Sequence, residues 1–437
     1  MGKRIRIGLL GLGTVGTGVA SILLSPEGRH PLVLDVELKK IAVRQINLSR
    51  NISLAENLLT DDPYEVADDP SIDVLVEVMG GLEPSRELIL RAIKSGKSVV
   101  TANKAVIARH GEEIASAALN AGVYVLIEAA VGGGIPIIEP LKQSLGGNKI
   151  NKVTGIINGT TNYILSRMAK EGADYSEVLK DAQQLGYAEA DPAADVNGID
   201  AADKISILSS LAFGGQINRE KIPTKGISNL NNRDVHYANR LGYKVKLLAT
   251  AERISSSNET SSLPLSLRVQ PTLIPKDHPL AGVNGVNNAI LIEGEPIGEV
   301  MFYGPGAGAG PTASAVVADI LNIAGIKQLE NSSSRLDPLL AAKSWRNCHL
   351  VDSSEITQSN YIRLITKDTP GLIGQIGNQF GNRGVSIQSI VQFDANDTGA
   401  EIVVITHKVN QGKMESSLNG INSLKEVKGI EAHMSCL

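Results

Sequence analysis

IRIGLLGLGTVG, residues 5–16, joins an apolar run to the spacing Gly-x-Gly-x-x-Gly. A run such as IRIGLLG (5–11) suits a strand buried on both faces, as in a parallel sheet covered by helices. Gly11, Gly13 and Gly16 permit a tight turn and close backbone approach to a pyrophosphate, whose charge suits a helix N-terminus. Such a spacing is weak evidence alone in a chain with 44 glycines. Here it follows a strand and opens a helix, the context that it requires, so it reads as a dinucleotide-binding turn.

The neighbouring sequence continues the alternation. VELKKIAVR (36–44), IDVLVEVMG (72–80), KSVVTANK (97–104) and VYVLIEAAV (123–131) read as further strands. PSRELILRAIKSG (84–96) and HGEEIASAALNAG (110–122) read as helices ending on glycine. Strand and helix in turn predict a doubly wound parallel sheet over 1–135. Residues 136–303 mix helices, including ADYSEVLKDAQQLG (173–186) with Asp174 and Glu177 spaced as a capping box, with later β-patterned runs. They read as an α+β substrate-binding, catalytic and dimerisation domain. GPGAGAGPTASAVVADILNIAG (304–325) looks like a glycine loop and apolar helix that completes the first domain over about 304–330. A polar linker is expected over 331–358, and a small βαββα-patterned module over 359–437.

The 437 residues allow about three domains at ~150 residues each. Lys plus Arg number 42 against 46 Asp plus Glu, a net charge of −4, so no basic excess points to nucleic acid. Two cysteines form no disulfide framework, which suits a reducing cytoplasm. The N-terminus lacks a signal-peptide cleavage pattern, and no run of ~18 apolar residues is seen, so no membrane partner is expected.

Chemistry concentrates in a few places. Arg44, after the second strand, stands where an acid would bind a ribose hydroxyl; it either pairs with a 2′-phosphate or is a surface arginine. Lys104, in TANKA (101–105), lies past a strand end, where ligands of open α/β sheets bind. EAAVGGGIPII (128–138) is either a hard-cation loop or a close-packed turn under the cofactor, and composition favours the turn. EADPAADVNGIDAADK (189–204) gathers five acids before one lysine. Asp200 and Lys204 are four apart and share a helix face. A half-buried lysine held by carboxylates can deliver a proton to an oxyanion, and leftover acids can bind an ammonium group.

These motifs, with INGTTNYIL (157–165), GYAEADP (186–192) and GPGAGAGPTA (304–313), resemble homoserine dehydrogenase over residues 1 to about 330. The tail, from KDTPGLIGQIG (367–377), looks like an ACT domain with a βαββαβ fold. The resemblance implies an α/β protein: a Rossmann domain, an α+β substrate and dimerisation domain, and a C-terminal ACT domain. It implies reversible NAD(P)H-dependent reduction of L-aspartate 4-semialdehyde to L-homoserine. Lys204 and Lys104 are then the catalytic pair. Glu189, Asp200, Asp195, Tyr187 and Thr160 are the substrate binders. Gly11, Gly13, Thr14, Val15, Gly16, Arg44, Lys104, Gly186 and Gly308 touch the dinucleotide. Glu128, Val131, Gly133 and Ile135 match a sodium loop, mostly through backbone carbonyls, which reverses the preference from composition.

The cofactor is expected to be NADP or NAD, with NADP favoured by Arg44. Threonine is the implied ACT effector, near Asp368-Thr369-Pro370-Gly371-Leu372 and Asn378. A homodimer or homotetramer is expected. Aspartate-semialdehyde dehydrogenase is the nearest alternative, but its acylating chemistry needs a cysteine nucleophile, and Cys348 and Cys436 lie outside the motifs. A non-catalytic amino-acid sensor is the other alternative; the Lys104, Glu189, Asp200 and Lys204 set argues against it.

Overall fold

The apolar run at the N-terminus becomes β1 (Ile5–Leu10), and the glycine turn leads into α1 (Thr14–Leu24). The computed structural model describes residues 4–50, 52–254, 262–329, 347–396 and 399–437; most of the expected linker lies outside them. The alternation continues through β2 (Val36–Ala42), β3 (Leu59–Thr60), α2 (Pro63–Asp68), β4 (Val74–Glu77), α3 (Ser85–Lys94), β5 (Ser98–Thr101), α4 (Lys104–Ala121) and β6 (Val125–Leu126). These six strands are parallel, in the order β3-β2-β1-β4-β5-β6. That is the doubly wound order of dinucleotide-binding folds, with its switch point beside β1.

Burial explains the strand composition. Leu9, Val74 and Val76 face one core while Leu10, Leu75 and Val99 face the other, so each strand is apolar on both sides. One expectation needs correcting. The strand expected over 123–131 is only two residues long, because the chain turns at Glu128, whose buried carboxylate accepts the backbone N–H groups of Ile137, Ile138 and Glu139.

The chain continues through α5 (Ile138–Lys142), β7 (Lys149–Ile156), α6 (Gly159–Glu171), α7 (Tyr175–Gln184), α8 (Ala193–Val196), α9 (Ile199–Phe213) and α10 (Asn232–Arg240). Strands β8 (Tyr243–Arg253), β9 (Ser262–Pro275), β10 (Asn287–Glu295) and β11 (Gly298–Pro305) precede α11 (Ala309–Leu329). Asp174 precedes α7 but its side chain caps nothing, so the expected capping box does not form. Then come β12 (Asn347–Leu350), β13 (Thr357–Thr366), α12 (Leu372–Gly381), β14 (Ile387–Asn396), β15 (Gly399–Thr406), β16 (Val409–Asn410), α13 (Gln411–Asn422) and β17 (Val427–Cys436).

The chain divides into two compact units. The first comprises Met1–Val153, Asp203–Glu220 and Asn288–Asn347. Within it α11 packs on α1 so closely that a Cβ at Gly18 would lie 2.7 Å from the Ala309 carbonyl oxygen. No membrane-length apolar run was expected from the sequence, yet Ala309–Lys327 is long and apolar enough to cross one. Its Ala313, Val316, Ile320 and Ile323 instead fill the core against β1 and α1.

The second unit comprises Thr154–Ala202, Lys221–Asn287 and Cys348–Leu437. Here β8 pairs antiparallel with β9, from Tyr243↔Pro275 to Arg253↔Leu265. The last six elements other than β16, taken with β13, give the order β-α-β-β-α-β of an ACT fold, with strands β17-β13-β15-β14 adjacent. Strand β17 also pairs in parallel with β9, at Ser435↔Thr272 and Cys436↔Leu273.

A buried ion pair holds α10 to β13. The Arg363 guanidinium lies 2.5 Å from Asp234, and the Tyr361 hydroxyl donates to the same carboxylate at 3.1 Å. Both charged side chains are almost fully buried, at 3% and 2% exposure. Removing one member leaves an uncompensated buried charge. Arg363→Met is therefore expected to destabilise this unit by roughly 3–5 kcal/mol, read as a lowered denaturant midpoint.

Candidate active site

The glycine turn is built by close approach. Gly11 has φ +101°, and a Cβ at Gly16 would sit 2.1 Å from the Gly11 carbonyl oxygen. At Gly13 the space is open, with nothing within 4 Å of an added Cβ. Gly13 caps α1 without any side-chain hydrogen bond, so the first N–H groups of α1, at Thr14 and Val15, face no capping side chain. Open space, positive φ and a bare helix N-terminus fit a pyrophosphate. Arg44 is exposed just past β2, at the carboxyl edge of the sheet.

Lys104 opens α4, and its neighbours fix that helix start. The fully buried Glu77 accepts from the N–H of Met79 (2.8 Å) and Gly80 (3.3 Å) and from the Thr101 hydroxyl (2.7 Å). Thr101 in turn accepts the Asn103 N–H at 3.0 Å. Asn103 donates its side-chain amide to Gly81 and caps Val106. Neither Glu77 nor Asn103 was singled out from the sequence. An acid inside the apolar run IDVLVEVMG was the available signal.

The glycine loops of the first unit stack on one another. Gly134 donates to the Pro305 carbonyl at 3.1 Å, and a Cβ at Gly133 would meet the Gly306 oxygen at 2.5 Å. Gly308 follows, at φ +124°, and leads into α11. Val131 and Ile135 are buried in the same loop. Both Glu128 carboxylate oxygens are engaged by backbone N–H groups, at 2.6–2.9 Å. Asp319, unnoticed in the sequence, accepts the Glu128 N–H at 2.8 Å, and burial pushes both carboxyls above their ordinary range. Carboxylate oxygens of Glu128, Glu139 and Asp319 all lie within 4.8 Å of one another.

In the second unit, Asn158 and Thr160 gather the acids of the loop. The Asn158 amide donates to Asp195 (2.7 Å) and to Asp200 (2.9 Å). The Thr160 hydroxyl lies 3.0 Å from Asp195 and 2.7 Å from the Tyr187 carbonyl oxygen. The Tyr187 ring is exposed and meets Tyr163 with centroids 4.9 Å apart. Asp200 is buried, Asp195 half-buried and Glu189 exposed. Gly186, at φ +75°, follows the end of α7. Asp191 only caps the local turn, accepting the Ala193 N–H at 3.1 Å. Asn158 lies inside a quoted motif, yet its bridging role was not legible there.

Lys204 is half-buried on α9, four residues after Asp200 and one after Asp203. From the sequence alone, Asp203 could be read as no more than a solvated acid of the 189–204 stretch. The structure corrects this: Asp203 is buried and paired with Arg219 at 2.5 Å. In the loop expected for the ACT effector, Asp368 to Gly371 are exposed and Leu372 is buried, with Asp368 accepting from Gln392 at 3.2 Å and Gly371 capping α12 at φ +87°.

The sheet order and the glycine turn define a dinucleotide-binding α/β protein. Residues 11–128 match the family profile "Homoserine dehydrogenase, NAD binding domain", residues 136–321 match "Homoserine dehydrogenase", and residues 360–426 match "ACT domain". The chain is 55% identical over 426 residues to a homoserine dehydrogenase of Synechocystis sp., covering 98% of each. It is 40% identical to one from Bacillus subtilis, again over 98% of each. The crystal structure of a homoserine dehydrogenase from Thiobacillus denitrificans matches with a TM-score of 0.90 at 41% identity, covering 100% of this chain and 98% of that one. A hyperthermophilic archaeal homoserine dehydrogenase in complex with NADPH matches 74% of this chain and 98% of its own, with a TM-score of 0.61 at 29% identity. The chain belongs to the homoserine dehydrogenase family, and it is an oxidoreductase of that kind.

One more lysine stands out beside α6. Lys246 is 2% exposed, and its ammonium donates to Asn162 (2.9 Å), to the Val283 carbonyl and to Asn284 (3.4 Å). Burial pushes it down from 10.5 to about 7. The unfolded chain therefore binds more protons than the folded one between about pH 7 and 10.5, and stability rises with pH across that window. Lys246→Met is expected to flatten the rise, checked by urea midpoints at pH about 7 and about 10.

Proposed function

We propose that this chain reversibly reduces L-aspartate 4-semialdehyde to L-homoserine, within threonine, methionine and isoleucine biosynthesis. The observation that carries this reading is that Asn158 bridges Asp195 and Asp200, and that Asp200 stands four residues before Lys204 on α9. Two gathered carboxylates suit an α-ammonium group, and a half-buried lysine suits a developing alkoxide.

Bound NAD(P)H supplies the hydride. Gly11, Gly13, Thr14, Val15 and Gly16 would hold the pyrophosphate of the bound dinucleotide, and Gly186 and Gly308 would contribute further contacts to it. Glu189, Asp195, Asp200, Tyr187 and Thr160 bind the amino acid and orient its aldehyde. Lys204 faces the aldehyde oxygen as negative charge builds there, then gives it a proton, so that carbonyl, hydride and proton become the alcohol. Lys104, set at the start of α4 through Glu77, Thr101 and Asn103, adds positive charge near substrate and cofactor.

Arg44 favours NADP, because an exposed guanidinium past β2 can pair with a 2′-phosphate and no acid stands there. The loop of Glu128, Val131, Gly133 and Ile135 takes a sodium ion through backbone oxygens. What supports this is that Glu128's carboxylate is already engaged, while the buried Asn288 amide, against Gly306, has no hydrogen-bond partner among the described residues. The ACT module binds threonine as a feedback effector through Asp368–Leu372 and Asn378, and the enzyme works as a homodimer or homotetramer.

Homoserine oxidation with NADP or NAD, with and without millimolar threonine, tests this reading. Activity that threonine suppresses is expected; no activity with either cofactor would overturn it. Lys204→Ala is expected to lower kcat about 10²–10⁴-fold while NADPH binding persists. Arg44→Ala is expected to raise KM for NADPH about tenfold and leave KM for NADH nearly unchanged.

A further inference from the structure

Asp203, immediately before Lys204 on α9, is buried. Asp203 and Arg219 are buried, with side chains 6% and 9% exposed and a separation of 2.5 Å. A second guanidinium, from Arg109 on α4, reaches the same carboxylate oxygen at 3.2 Å. Arg109 also donates to the Ala105 carbonyl at 3.3 Å, one residue beyond Lys104, and its Nε lies 3.6 Å from Glu220. One carboxylate thus joins the helix that begins with Lys104 to the helix that carries Lys204.

We propose that the Asp203 clamp, closed by Arg219 and Arg109, positions Lys204 and Lys104 relative to each other for the reaction. The proposal rests on the assignment of those two lysines to catalysis. The physical argument is rotational. Consecutive residues on a helix stand about 100° apart, so pinning Asp203 fixes the direction in which Lys204 leaves α9. Arg109 lies five residues after Lys104 on α4, and its bond to the Ala105 carbonyl carries the same constraint to the first turn of that helix. Two guanidinium groups on one buried oxygen leave little freedom, and charge-assisted bonds of this kind are the strong ones. None of the three side chains is itself assigned to substrate or cofactor. They are positioning residues.

A positional error of about 1 Å at a reacting group can cost on the order of 10² in rate. Asp203→Asn keeps the shape and removes the charge, while Arg109→Met removes the clamp at its solvent edge. In the full-length enzyme each is expected to lower kcat for homoserine oxidation about 10- to 100-fold, with KM for NADP within about twofold of wild type. The deciding readout is a double-mutant cycle with Lys204→Ala. If the clamp acts through Lys204, Asp203→Asn has no further effect on the residual rate of Lys204→Ala. A clamp that only supports the fold would lower both rates equally.

Turnover within twofold of wild type in both folded variants, or equal losses in the two backgrounds, overturns the proposal. Should Asp203→Asn fail to fold, Arg109→Met in the same cycle decides the matter. Wild-type inactivity on homoserine would overturn the functional reading instead, a result seen before any variant is made.

Discussion

The carboxyl edge of the parallel sheet depends on one contact that only glycine allows. A side chain at residue 16 would lie 2.1 Å from the carbonyl oxygen of Gly11. Because that space must stay empty, the chain turns tightly out of β1 and α1 begins immediately. The start of α1 is left bare of capping side chains. The same economy recurs at Gly18 against Ala309 and at Gly133 against Gly306. These approaches bring α11 and its glycine loop back to the N-terminal sheet, so a segment some three hundred residues away in sequence completes the cofactor-binding unit.

Beside that edge, two buried acids are matched by donors. Glu77 closes three hydrogen bonds at the ends of β4 and β5, and Glu128 closes three at the start of α5. Each carboxylate sits in the apolar interior because its N–H and O–H partners make burial tolerable. Each fixes the shape of the loop that it bonds. The acids at 189–204 show the contrast. Asp191 caps a turn, Asp195 and Asp200 share Asn158, and Asp203 holds two arginines.

Within the second unit, the ACT module is joined to the remaining elements by backbone as well as by charge. β17 adds in parallel to β9, and the Gln270 amide and Thr272 hydroxyl both meet Ser435 across that seam. Asp234, from α10, takes Arg363 and Tyr361 from β13. Strand addition gives the join directional hydrogen bonds, and the buried ion pair fixes its register. The ACT strands are thus bonded directly to β9 and α10.

The sequence by itself determined the parallel sheet, the glycine turn and the ACT pattern. Each is local: a run of apolar residues, a fixed glycine spacing, or a strand and helix of adequate length. Lys104, Lys204, Asp195 and Asp200 could be picked out as candidates for the same reason, since they lie in contiguous motifs. Only the tertiary structure decided what surrounds them. Asn158 reaches Asp195 from 37 residues away, Asp319 reaches Glu128 from 191, and Arg109 reaches Asp203 from 94. No periodicity encodes such pairings; a buried charge is stable only beside its partner, and which partner arrives depends on how the whole chain packs.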